Sequence, residues 1–185
     1  MWFFGHLGIG SQIAKPLGRK LPWGAILWGT LLPDLIDKPL YYAHKFYIEK
    51  SAGTGSDLGL ISCSRTFGHT GLLILALSSL AWWRRSRVVA GLALGMATHV
   101  LIDAIQDTIM GIPWREASSM LAVTWPFSGR FAGMPFHNLG EHLASGGTPL
   151  ILGAELVGAF LLVREWRRRR YGLQKKYFAS KKTAL

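Results

Sequence analysis

Apolar positions in this chain come in long blocks rather than in alternation, and small basic clusters separate the blocks. Residues 88–106, VVAGLALGMATHVLIDAIQ, form one run close to the ~20 residues a helix needs to cross a ~30 Å hydrocarbon layer. Residues 68–83 and 149–163 are somewhat shorter, and each ends in tryptophans or arginines suited to a membrane interface. Residues 1–14 and 23–37 are shorter again and are punctuated by Gly and Pro, as in tilted or incomplete crossings. The pattern predicts an all-α fold, an integral-membrane helical bundle of about 4–5 apolar helices.

The basic clusters predict an orientation. Lys15, Arg19 and Lys20, then Arg84, Arg85 and Arg87, then the tail from Arg164 are each separated by two apolar segments. All three therefore face one side, which the positive-inside rule makes the cytoplasm. The expected organisation is a membrane-embedded domain over residues 1–163 and a basic cytoplasmic tail over 164–185. Residues 107–148 form a loop on the opposite side, and no repeat is visible. Gly91 and Gly95, four apart, have the spacing that lets two helices approach closely, though glycines are also simply frequent in membrane helices. The N-terminus starts Met1-Trp2-Phe3-Phe4 with its positive residues only afterwards, the reverse of a signal peptide, so the first segment is expected to stay in the fold.

Composition supports this class. Half of the 185 residues are apolar, 17% are charged and the mean hydropathy is +0.25, which excludes a disordered or fibrous chain. The formal charge is 21 − 10 = +11, and residues 164–185 supply +8 of it, from nine Lys and Arg against one Glu. A basic tail directly after an apolar run suits anionic lipid rather than nucleic acid, and no nucleic acid is expected as a partner. Cys63 is the only cysteine, which excludes an internal disulfide and a zinc site built from several thiolates.

Ionisable residues inside the apolar runs carry the candidate chemistry, because each costs about 2.5–3.5 kcal/mol even on a lenient insertion scale. His99 and Asp103 stand four apart in HVLID, on one helix face, a spacing that suits two ligands of one metal. Asp34 and Asp37 lie in LLPDLID, His69 opens a span in RTFGHT, and His6 sits in FFGHLG. At 1.5 Å per residue from the nearest basic cluster, Asp34, His69, His99 and Asp103 come out at roughly 21, 22, 18 and 24 Å, one common level. His6 and Glu155, each about 13 Å up, fall deeper and are expected to line the floor of the same cavity. Two imidazoles and two carboxylates are donors that zinc takes, and Mn or Fe would accept them too.

Arg65 reads two ways, as a holder of anionic oxygen near the metal or as an anchor for the span's end. Asp107 reads as a partner behind Asp103 or as a helix-end charge. His137 and Glu141 read as a solvated pair in a Gly-rich loop, His44 as an interfacial residue, and Trp82 and Trp83 as belt residues.

These residues resemble the YdjM-like inner-membrane-associated metal-dependent hydrolases of bacteria. The resemblance runs from His6 to about Phe136, through LLPDLID at 31–37, RTFGHT at 65–70, LGMATHVLID at 94–103 and Trp125-Pro126-Phe127. It implies a multi-pass protein of the bacterial inner membrane whose His6, Asp34, His69, His99 and Asp103 are metal ligands. Members look distantly similar to zinc-dependent phospholipase C and to the single-strand-specific zinc nucleases, where a HxxxD helix pair contributes ligands. Two departures stand out: Asp34 and Asp37 are three apart where many relatives have a shorter spacing, and Ser64-Arg65-Thr66 lacks a histidine that relatives often carry.

The expected function is zinc-dependent hydrolysis of an ester or phosphoester, with a lipid-linked substrate entering sideways from the bilayer. Asp37 is expected as general base or as the residue that orients a ligand, and Arg65 as a stabiliser of phosphate charge. His6, with Asp103 bridging and Glu155 beneath, would complete a second metal position. The competing expectation is a non-catalytic membrane scaffold or binding protein, with function in the basic tail.

Overall fold

A computed structural model describes residues 3–52, 64–131 and 149–183, and every regular element among them is helical. The chain opens with α1 (Phe3–Gly5), a π-helical turn (His6–Gly10) and α2 (Ser11–Leu17), which follow without a break. Next come α3 (Trp23–Ala52), a 3₁₀ turn (Phe67–His69), α4 (Gly71–Trp83), α5 (Arg87–Ile109), α6 (Ser118–Thr124) and α7 (Pro149–Thr183). Thr70 and Ser86 start α4 and α5 by accepting the N–H groups of Leu73 and Val89. The side chain of His44, as well as Cys63, His137 and Glu141, lies outside the described residues.

The fold is polar inside and apolar outside. His6, Ser11, Thr30, Asp37, His69, His99, Asp103 and Asp107 are buried, whereas Leu75, Trp82, Ile105, Leu156 and Phe160 face outward. Large leucine and aromatic faces around a polar interior suit a lipid surround and are unusual for a chain surrounded by water. Among the described residues α5 alone is long and apolar enough to cross a membrane, and α4 is a shorter apolar helix.

Several elements differ from the sequence expectation. The apolar run 23–37 extends to Ala52 and passes through Pro33 and Pro39. Membrane-type helices tolerate such prolines because neighbouring groups take up the freed carbonyls. Segment 149–163 continues into the basic stretch as one helix, α7. The expected loop after α5 contains α6, whose Ser119 anchors it to α5.

The closest pairing is α3 against α5. A Cβ on Gly95 would lie 2.3 Å from the Ile26 carbonyl oxygen, and one on Gly29 would lie 2.3 Å from that of Leu92. Gly91 and Gly95 therefore serve close helix approach, which resolves the two readings of that pair. The N-terminal run is seated on α7 in the same way, with Gly8 against Gly158. Glu155 accepts the N–H groups of Phe4 and Gly5 at 2.7 and 3.1 Å, and Glu165 meets Lys15 at 2.6 Å. The two stretches thus run parallel, with Lys15 and Arg164 at one end. Leu21, just beyond Lys20, lines a groove together with Arg85 and Arg87, so the three basic clusters share that end.

Candidate metal centre

Each helix delivers its polar residues to one point for a local reason. On α5, His99 and Asp103 are one turn apart, and Gly95, a turn earlier, brings that face against α3. Asp34 and Asp37 follow Pro33 on α3. The 3₁₀ turn carrying His69 is pinned to α3 at Gly68, where a Cβ would sit 2.6 Å from the Pro33 carbonyl oxygen. Phe67 in the same turn packs edge-on to Trp125 and Phe131, which hold the turn through its aromatic side chain.

The four residues expected at one level meet. His69 Nε2 and His99 Nε2 are 3.2 Å apart. Asp103 Oδ2 lies 3.5 Å from the first and 3.6 Å from the second, and Asp34 Oδ1 lies 3.8 and 3.9 Å from them. A tetrahedral site with metal–donor bonds of about 2.0–2.2 Å has donor–donor edges ~1.63 times longer, roughly 3.3–3.6 Å. These five of the six edges, 3.2 to 3.9 Å, bracket that range.

The protons sharpen the case. His99 Nδ1 is 2.6 Å from the Thr30 carbonyl oxygen, which can only accept, so Nδ1 carries the proton. His69 Nδ1 is 2.6 Å from Asp37 Oδ2, again an acceptor. These tautomers are assigned from the hydrogen-bond network. In the neutral rings both Nε2 lone pairs therefore point at one another and at two carboxylate oxygens. Such a cluster is uphill in a buried setting unless a cation, or a proton on one Nε2, lies within it.

Asp37 is fully buried, and its two oxygens accept from Thr66 N–H, Thr66 Oγ1, Gly68 N–H and His69 Nδ1. That leaves the carboxylate orienting His69, one of the two roles expected of it, with its oxygens already engaged. Arg65 is engaged likewise. Its guanidinium donates to Asp103 Oδ1 at 2.9 Å, to both oxygens of Asp107 at 2.9 and 3.1 Å, and to Ser118 Oγ at 2.9 Å. Asp107 also accepts the N–H and hydroxyl of Ser119, so it stands behind Asp103 through the arginine.

His6 reaches the centre although the depth estimate set it lower. Its ring stacks on His99 at 3.7 Å, its Nε2 is 3.4 Å from Asp103 Oδ1, and its buried Nδ1 has no hydrogen-bond partner among the described residues. The donor atoms fall into two overlapping groups, His69/His99/Asp103 and His6/Asp34/His99, each within 4.8 Å. Glu155 belongs to neither donor group; it accepts the N–H groups of Phe4 and Gly5, just before His6. Sequence reasoning also missed Lys38, whose ammonium is 2.5 Å from Asp34 Oδ2. Asp34 is 18% exposed and Lys38 34%, against 2% or less for His6, His69, His99 and Asp103, so the centre opens on this side.

A family model described as YdjM inner membrane protein matches residues 1–171, nearly the whole chain. The chain belongs to the YdjM inner membrane protein family. Membership establishes it as a membrane protein and accounts for the outward apolar faces of this YdjM member. No curated protein and no solved structure matches it. The buried His/Asp centre is thus read from its own geometry.

Proposed function

We propose that this YdjM-family protein is a membrane-integral, metal-dependent hydrolase, with zinc at the centre formed by Asp34, His69, His99 and Asp103. One observation carries the reading: two imidazole nitrogens 3.2 Å apart, each with its other nitrogen committed to an acceptor, among carboxylate oxygens at 3.5–3.9 Å. The fit to a tetrahedral cation with nitrogen and oxygen donors supports zinc over calcium or magnesium, which prefer all-oxygen surroundings. Such a cation supplies Lewis-acid polarisation of an ester or phosphoester oxygen and acidified water.

The chain's own residues do the rest. Asp37 fixes the ring plane and tautomer of His69, and the Thr30 carbonyl does so for His99. Arg65 holds Asp103 against Asp107 and balances the excess negative charge of the cluster. Lys38 stands at the open side, where an anionic group of the substrate would arrive. Buried helix packing shields the remaining sides from water. In this reading α4, α5, α7 and the two N-terminal stretches cross or enter the bilayer, the basic end is cytoplasmic, and the substrate is lipid-linked.

The test is metal analysis of detergent-purified protein, wild type beside His99→Ala and Asp34→Ala. Stoichiometric transition metal in the wild type, lost in both variants, is the expected result. It should be accompanied by hydrolysis of a bis(p-nitrophenyl) phosphate or lipid-phosphate probe that stops on chelation and returns with zinc. Wild-type protein that holds only traces of metal after zinc reconstitution would overturn the proposal.

A further inference from the structure

Away from the centre, at the basic end, a groove of about 550 Å³ runs between α4 and α5 and is closed on one side by Leu21. Its size lies within the ~300–1,000 Å³ of ordinary small-molecule sites. The trough exists because α5 presents Ala90, Ala93 and Ala97 to it, residues too small to fill the space beside Ile74 and Ala81 of α4. It extends from Arg87 to Ala97, about 15 Å of helix, which is half of a ~30 Å hydrocarbon layer, or one leaflet.

Charge distinguishes its two ends. Arg85 and Arg87 line the mouth, both side chains are exposed, and neither has an acidic partner among the described residues. Arg84, by contrast, lies over the Trp83 ring at 5.0 Å. Trp82, 86% exposed, stands at the same mouth, where an indole marks headgroup level. An apolar trough one leaflet long, capped by two exposed arginines and an interfacial tryptophan, complements one kind of molecule: an amphiphile with a negative head.

We propose that this groove binds one anionic phospholipid, its phosphate held by Arg85 and Arg87 and one acyl chain laid along Ala90, Ala93, Leu94 and Ala97. The proposal is independent of any metal at the His/Asp centre. Two juxtamembrane charges, at about 1 kcal/mol each, give the site a roughly thirtyfold preference for an anionic head.

Native mass spectrometry of the full chain in detergent, with phosphatidylglycerol and phosphatidylcholine of identical acyl chains as probes, tests it. The expected result is retention of phosphatidylglycerol about thirtyfold over phosphatidylcholine, collapsing towards parity in Arg85→Asn/Arg87→Gln. Asn is chosen because position 85 has φ +50°, which Asn accommodates. Ala90→Phe, which fills the trough, is expected to lower retention of both lipids, and Ser78→Phe on the α4 wall does the same if Ala90→Phe fails to fold. Millimolar inorganic phosphate is expected not to compete. Equal retention of the two lipids by the wild type, an undiminished preference in the arginine variant, unchanged retention in a folded trough-filling variant, or displacement by phosphate alone would each overturn it.

Discussion

Replacing Asp37 by Asn separates the two roles a carboxylate beside a metal ligand can play. The buried carboxylate receives four donors, at 2.6 to 3.0 Å, on two oxygens. An amide has one accepting oxygen, so whichever way it turns, at least one of the backbone N–H groups of Thr66 and Gly68 loses its acceptor. An unmatched buried donor costs about 1–3 kcal/mol, and for a chain of this size each kcal/mol lowers the thermal midpoint by about 2–4 °C. If the NH₂ faces His69, the ring must present Nδ1 as acceptor, which moves its proton to Nε2 and removes the lone pair needed for a metal. Loss of such an orienting partner weakens metal binding about 10–100-fold. Competition with a chromophoric zinc chelator reads the affinity, and the thermal midpoint is followed alongside. Unchanged zinc affinity with abolished hydrolysis would make Asp37 a proton acceptor in the reaction, and unchanged values of both would refute the reasoning.

Other substitutions probe separate parts of the scaffold. Gly95→Ala drives a methyl group into the Ile26 carbonyl, and overpacking of about 1–3 kcal/mol is expected, seen as a lower midpoint together with reduced metal content because His99 shares that interface. Arg65→Lys keeps the charge but not the fork that joins Asp103 to Asp107, so a loss of about 1–3 kcal/mol is expected in thermal unfolding. Lys38→Ala removes a partly exposed pair worth at most ~1 kcal/mol, so stability should hardly move while KM for an anionic substrate rises. Burial alone would raise the Glu165 carboxyl, but Lys15 and Arg169 outweigh it and hold the group below the usual glutamate range. Its contribution is therefore present above the ordinary glutamate pKa and disappears as pH falls through the folded value, so wild type and Glu165→Gln should converge in midpoint at acid pH and diverge near neutrality.

Much of the centre was legible because it rests on helical periodicity. The four-residue step from His99 to Asp103 and a count of residues from the basic clusters were enough to put Asp34, His69, His99 and Asp103 together. The same count set His6 below the other four, whereas its ring stacks on His99. Asp37 stayed ambiguous because its role depends on backbone N–H groups of residues 66 and 68, which no side-chain pattern reports. Lys38 was not among the candidates, although its four-residue step from Asp34 could have exposed it. Gly and Pro in 23–37 suggested an incomplete crossing, but α3 continues through Pro33 and Pro39 to Ala52, since a protein interior can absorb what they disrupt. Glu155 was grouped with the cavity by depth alone, and a count of residues cannot see the two N–H donors at the start of the chain that it accepts.

The last helix grips the first segment at two places ten residues apart, Glu155 on the leading N–H groups and Glu165 on Lys15. Between these grips the chain contacts itself through bare backbone at Gly8 and Gly158, with no side chain to yield. The start of the basic stretch and the segment that carries His6 are therefore packed as one unit. A displacement of α7 at Glu165 would thus bear on the short segment that carries His6, whose ring stacks on His99.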